Sequence, residues 1–154
     1  MVTVDVQVTS GDSGIPAAAV IRDWVEAAAE RVGAPRDLEI AVRVVDRDEI
    51  RALNNRYRHQ DRVTNVLSFP AGPIEGLPAG SPRPLGDVVV CAGVVADEAV
   101  AQGKRLEDHW GHMLVHGTLH LMGFDHEEED DAAEMEALEV AILASRNVMD
   151  PYTG

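Results

Sequence analysis

Three histidines, His116, His120 and His126, fall within the eleven residues HGTLHLMGFDH. On a helix, residues four apart stack on one face, so His116 and His120 point the same way and form a chelating pair. Gly123 can adopt the positive φ that turns the chain back and carries His126 to the same point in space. Three imidazoles plus one open position is the ligand set of catalytic zinc, whereas structural zinc usually takes four protein ligands rich in cysteine. The lone cysteine, Cys91, follows three valines and reads as a small apolar core residue, with no internal disulfide to form. His112 and His116 make a second pair of helical spacing, with His109 three residues before His112. The turn at Gly123 favours 116, 120 and 126, and leaves His112 behind the site, hydrogen-bonded in the core or supporting a ligand. Asp125, next to His126, could orient a ligand ring through its second nitrogen; it equally suits the acidic start of the helix that follows.

The same spacing matches the zinc-peptidase pattern H-E-x-x-H-x-x-G-x-x-H at every ligand position. The catalytic glutamate is missing, and Gly117 stands in its place. Glycine offers no general base, so a peptidase is the weakest reading of the motif.

The formal net charge of −14 disfavours nucleic acid and anionic membrane on average, so a phosphate-binding role must rest on a local patch. Six of the 13 basic residues, Arg43, Arg47, Arg51, Arg56, Arg58 and Arg62, fall within 20 positions and supply one. Nine acids crowd into residues 125–139. The charge is thus polarised along the chain, a pattern that solvated helix faces also produce.

The elements that must position these groups are legible from periodicity. The 154 residues suit one domain, 1–154, whose core is built from aliphatic side chains, because only Trp, Tyr and Phe pairs supply aromatics. Residues 2–8 alternate valines with polar partners, as a half-buried strand does. Pro16 opens a helix that Gly33-Ala34-Pro35 ends, and a strand follows at 38–45. Asp46 with Glu49 forms a capping box for a short helix to about Asn54. Residues 65–69 read as a strand stopped by Pro70. Residues 70–84 hold five prolines and three glycines, too broken for a regular element and long enough for a lid. Leu85 to Cys91 is a strand covered on both faces. Helices then follow at 93–102, 106–122 and roughly 127–146. The chain is therefore expected to be an α+β protein, a small mixed sheet packed by helices, with a zincin-like metal-site helix. The stretch MVTVDVQVTS has no basic n-region and places Asp5 among its valines, and no apolar run approaches about 18 residues, so a cytoplasmic location is expected.

Beyond these readings, the stretch from His116 to His126 resembles the signature of the YbeY family of bacterial rRNA maturation factors. RHQDRVTNVLSFP at 58–70 and LGDVVVC at 85–91 resemble two further blocks of that family, in the same order and spacing. The resemblance implies a single-strand-specific endoribonuclease of 16S rRNA 3′-end maturation and ribosome quality control. It implies one Zn2+ ion on His116, His120 and His126, with Arg58 as the arginine important for ribonuclease action. On this reading Arg58 and His116 are catalytic, and Arg58 and Arg62 bind substrate. The partners expected are the 16S rRNA 3′ region and the small subunit with its proteins, and neither membrane nor DNA. Water or the substrate 2′-OH could be the attacking oxygen. An alternative is a ribosome assembly factor with a structural zinc and little catalysis. Two departures stand out: Phe124 where tyrosine is common, and His59-Gln60 where a glycine-basic pair is more usual.

Overall fold

A computed structural model describes residues 2–33, 37–72, 76–78, 80–124 and 129–152. Its strands are β1 (Val2–Val8), β2 (Leu38–Val45), β3 (Val66–Pro70) and β4 (Arg83–Cys91). Its helices are α1 (Ala18–Arg31), α2 (Arg47–Arg58), α3 (Ala92–Gln102), α4 (Leu106–Leu121) and α5 (Glu129–Ala144). The strands form one mixed sheet in the order β1-β2-β4-β3. β1 and β4 run parallel to β2, and β3 lies antiparallel to β4 at the edge. This is the expected α+β fold.

The valine alternation does what period two requires. Val2 and Val4 of β1, and Ile40, Val42 and Val44 of β2, turn into the main core with Val88 and Val90 of β4. Helices α1 and α4 cover that face with Trp24, Val25, Trp110, Leu114 and Leu119. On the opposite face α2 lays Ile50 over Val45, Val89 and Cys91. The uninterrupted apolar run of β4 follows from this double cover, because Val88 to Cys91 are all wholly buried. Burial also pushes the Cys91 thiol above its ordinary range, which keeps it protonated.

α2 is longer than its sequence pattern suggests. Asp46 accepts from the Glu49 backbone N–H at 3.2 Å, as the capping box requires. The helix then passes Asn54, whose buried amide donates to the Arg62 carbonyl, and ends at Arg58. Its last turn, from Asn55 to Arg58, is exposed and polar, so no apolar period could announce it. The chain leaves the helix through His59 in the left-handed region, at φ 57°. That geometry explains why glycine is usual there: a Cβ at positive φ costs energy that glycine avoids. Similarly, the loop before β4 is shorter than expected, because the strand already begins at Arg83.

α4 lies unusually close to two neighbours through its glycines. A Cβ on Gly111 would sit 2.6 Å from the Trp24 ring, and one on Gly117 would sit 2.7 Å from Val88 Cγ1 and 3.0 Å from Val66 Cγ2. Gly117→Ala is therefore expected to push α4 off the sheet edge and destabilise the protein by about 1–3 kcal/mol, measured by denaturant unfolding. His59→Gly is expected to act oppositely, stabilising by about 0.5–1 kcal/mol and raising the melting temperature by about 1–4 °C in a thermal scan.

Candidate active site

α4 delivers the histidines. His116 and His120 are partly exposed on a helix otherwise buried from His109 onward, and their ring centroids lie 4.7 Å apart, as four-residue spacing predicts. Both line a cleft of about 570 Å³ between α4 and the edge strand β3. Arg58, Arg62, Asn65 and Ser68 line the same cleft. The structure thus brings together four of the residues singled out in the sequence: His116, His120, Arg58 and Arg62. His126 and Asp125 lie outside the described residues. Gly123 turns the chain after α4 at φ 101°.

Ser68 ties the two sides of the cleft together. Its hydroxyl donates to the Gly117 carbonyl at 2.7 Å, and its own carbonyl accepts from Arg58 Nη2 at 2.5 Å. Arg58 also lies over the Phe69 ring, with Cζ 5.4 Å from the centroid. Arg58 makes no ion pair with the nearby Asp61. Asp61 instead pairs with Arg51 at 2.7 Å, and that pairing holds its carboxyl below the usual range. Arg43 pairs with Glu49 and Arg47 with Asp97, whereas Arg56, Arg58 and Arg62 make no ion pair among the described residues. The run of six arginines is therefore divided, half bracing α2 and half at the cleft or beside it.

Behind the histidines lies Glu139 of α5, wholly buried. Its carboxylate accepts from His116 Nδ1 at 2.5 Å, meets His112 Nε2 at 3.3 Å, and accepts the Tyr152 hydroxyl hydrogen bond. Burial pushes Glu139 up, but these three hydrogen bonds outweigh it and bring its pKa down to about 2. Burial and the adjacent carboxylate together push the Tyr152 phenol well above its ordinary range. His112 is thus a buried partner of this carboxylate, in keeping with its expected place behind the site. The ligand atoms of His112, His116 and Glu139 lie within 4.8 Å of one another, a group that could hold a metal ion. A second fit concerns His116 alone: a carboxylate on Nδ1 is the arrangement by which outer partners fix the ring of a metal-binding histidine.

Neither Glu139 nor Tyr152 was singled out from the sequence. A signal for the first existed: Met135, Ile142 and Leu143, all buried, bracket it at −4, +3 and +4, so an acid stands on an apolar stripe. Such an acid needs partners or it costs several kcal/mol.

Gly117 also has a steric reason to lack the peptidase glutamate. The sheet fills the space where a glutamate side chain would stand, so this helix cannot carry that base without separating from β3 and β4.

Fold and cleft together define a class, a small α+β protein with a helix-borne histidine site facing an arginine across the edge of a mixed sheet. The family model for endoribonuclease YbeY matches residues 7–147, and the chain belongs to that family. An endoribonuclease YbeY of Xanthomonas axonopodis pv. citri is 53% identical over 92% of this chain and 88% of its own. One of Halorhodospira halophila is 55% identical over 89% of this chain and 88% of its own. A Thermotoga maritima protein solved in solution shares the fold, with a TM-score of 0.58 and 24% identity over 100% of this chain and 97% of its own.

Glu139→Gln is expected to lower metal affinity about 10–100-fold, read by competition with a chromogenic chelator. The sign of its pH effect follows from the depressed pKa. The stability that the carboxylate contributes is full above about 4.5 and is lost as pH falls toward about 2. The stability gap between wild type and Glu139→Gln should therefore close across that window in acid unfolding of the metal-free proteins.

Proposed function

We propose that this protein is a zinc-dependent endoribonuclease that cuts single-stranded RNA, acting in 16S rRNA 3′-end maturation and ribosome quality control. The observation that carries this reading is the shared cleft: His116 and His120 on one wall, Arg58 and Arg62 on the other. Membership of the endoribonuclease YbeY family supports the RNA substrate.

Zinc would be held by His116, His120 and His126, and when bound it supplies a Lewis acid beside the scissile phosphate. Glu139 orients the His116 ring through Nδ1 and keeps that ring in one tautomer. Arg58 forks two phosphate oxygens and offsets the charge that develops on them as the P–O bond breaks. It arrives preorganised, because one N–H is fixed on the Ser68 carbonyl and the guanidinium rests on Phe69, leaving other donors to face the cleft. Arg62 extends the positive wall for the flanking phosphate. The cleft is open, which suits a polymer threading past the histidines better than a closed structural metal site.

Arg58→Ala is expected to lower kcat/KM on a single-stranded oligoribonucleotide at least about 100-fold while zinc per chain stays at one, and chelation should abolish cleavage that added zinc restores. The product ends then identify the attacking oxygen: a 2′,3′-cyclic phosphate means the substrate 2′-OH, and a 5′-phosphate means water. Full cleavage by a folded, zinc-loaded Arg58→Ala protein would remove Arg58 from the mechanism, and cleavage indifferent to chelation would remove the metal.

A further inference from the structure

A second pocket lies on the other side of β3, and the ribonuclease reading above does not use it. Its volume is about 540 Å³, and Tyr57, Phe69, Arg43, Leu53 and Asp87 line it together with Arg58 and Pro70. Arg58 and Pro70 also line the histidine cleft, so the two cavities meet at the end of the edge strand. The register explains the division: Ser68 and Val66 face α4, while Phe69 pairs with Asp87 on the face that α2 covers.

Phe69 is partly buried and packs against the α2-side cluster, and Tyr57 stands over it as the exposed part of an aromatic pair. Tyr57 is 53% exposed, in the last turn of α2, and its hydroxyl has no hydrogen-bond partner among the described residues. Its ring meets Phe69 edge to face at 5.4 Å and 64°. Arg56 lies 5.3 Å from the Tyr57 centroid, and Arg58 lies 5.4 Å from that of Phe69. Two aromatic rings thus sit between two guanidinium groups that make no ion pair among the described residues. A half-exposed tyrosine between arginines offers a face for an unpaired nucleobase, because every base has a π-face and guanidinium planes stack on it too. Asp87 in the pocket opposes a phosphate but can accept hydrogen bonds from the amino and imino edges of a base. The pocket therefore suits the heterocycle of a nucleotide whose backbone stays on the arginines at its rim.

We propose that Tyr57 and Phe69 form a stacking subsite for an unpaired base of single-stranded RNA, next to the phosphate held at Arg58. The subsite rests on the ribonuclease reading and deepens it. RNA rounds the end of β3 at Pro70, with its scissile phosphate in the histidine cleft and a neighbouring base against Tyr57. Duplex RNA, whose bases are already stacked on one another, has no base to place there, so the subsite contributes to single-strand selectivity.

The test titrates the zinc-loaded protein with a fluorescein-labelled single-stranded oligoribonucleotide at fixed salt, following anisotropy, with cleavage read on a gel in parallel. Tyr57→Ala is expected to weaken binding about 5–100-fold and Tyr57→Phe less than about twofold. Tyr57→Leu, which keeps apolar bulk against Phe69 but has no π-face, should resemble the alanine variant and guards against a loss from misfolding. A series of oligomers, each with one abasic position, should contain one member that costs the wild type the same factor and costs Tyr57→Ala nothing further. Equal affinity of wild type and Tyr57→Ala, or abasic losses undiminished in Tyr57→Ala, overturns the subsite alone. A wild type that neither binds nor cleaves the oligomer overturns the ribonuclease reading and the subsite with it.

Discussion

The close approach of α4 to the edge strand β3 is the constraint on which the rest of the site depends. It exists because residue 117 has no side chain, and Ser68 fastens it by donating to the Gly117 carbonyl. The backbone carbonyl of the same serine holds Arg58. A single residue of β3 thereby fixes the separation between the histidine pair on one wall and the guanidinium on the other. Moving α4 outward by the width of a methyl group would alter both. Glycine at 117 is therefore more than the absence of a base, since the space is taken by the contact that sets the walls of the cleft.

Electrostatics follows the same logic of local order within an unfavourable total. The chain carries 27 acidic against 13 basic residues, yet acids neutralise only half of the arginine run. Those pairs lie at or near the surface, where water screens them, so their effect is chiefly to leave the remaining cations concentrated around the cleft. The buried carboxylate works differently. Glu139 is wholly buried, so it stays charged because two histidines and a tyrosine satisfy its oxygens, and in return it fixes the His116 ring.

Most of the architecture was legible in the sequence, because valine alternation, capping residues and glycine stops are local signals. The strands at 2–8 and 38–45 and the glycine turns after α3 and α4 fall where period and punctuation put them. The last turn of α2 was hidden because an exposed polar turn carries no apolar period. The pairing of Asp61 with Arg51 is tertiary in origin: after the αL turn at His59, Asp61 meets the earlier arginine of α2. The helical histidine pair was readable from spacing alone, and so was the anomaly of an acid at 139. Ser68 and Tyr152 were not, since their importance lies wholly in contacts with residues 49 and 13 positions away. The family resemblance supplied Arg58, and the fold supplied the reason why an arginine so distant in sequence could share a cleft with the histidines.

The hydrogen bond from Tyr152 to Glu139 has a consequence in time as well as in space. His116 leaves the ribosome 23 residues ahead of the carboxylate that orients it, and Glu139 leaves 13 ahead of the hydroxyl that holds it. During synthesis the histidine helix can therefore form before its ring is locked, and the lock arrives with residue 152.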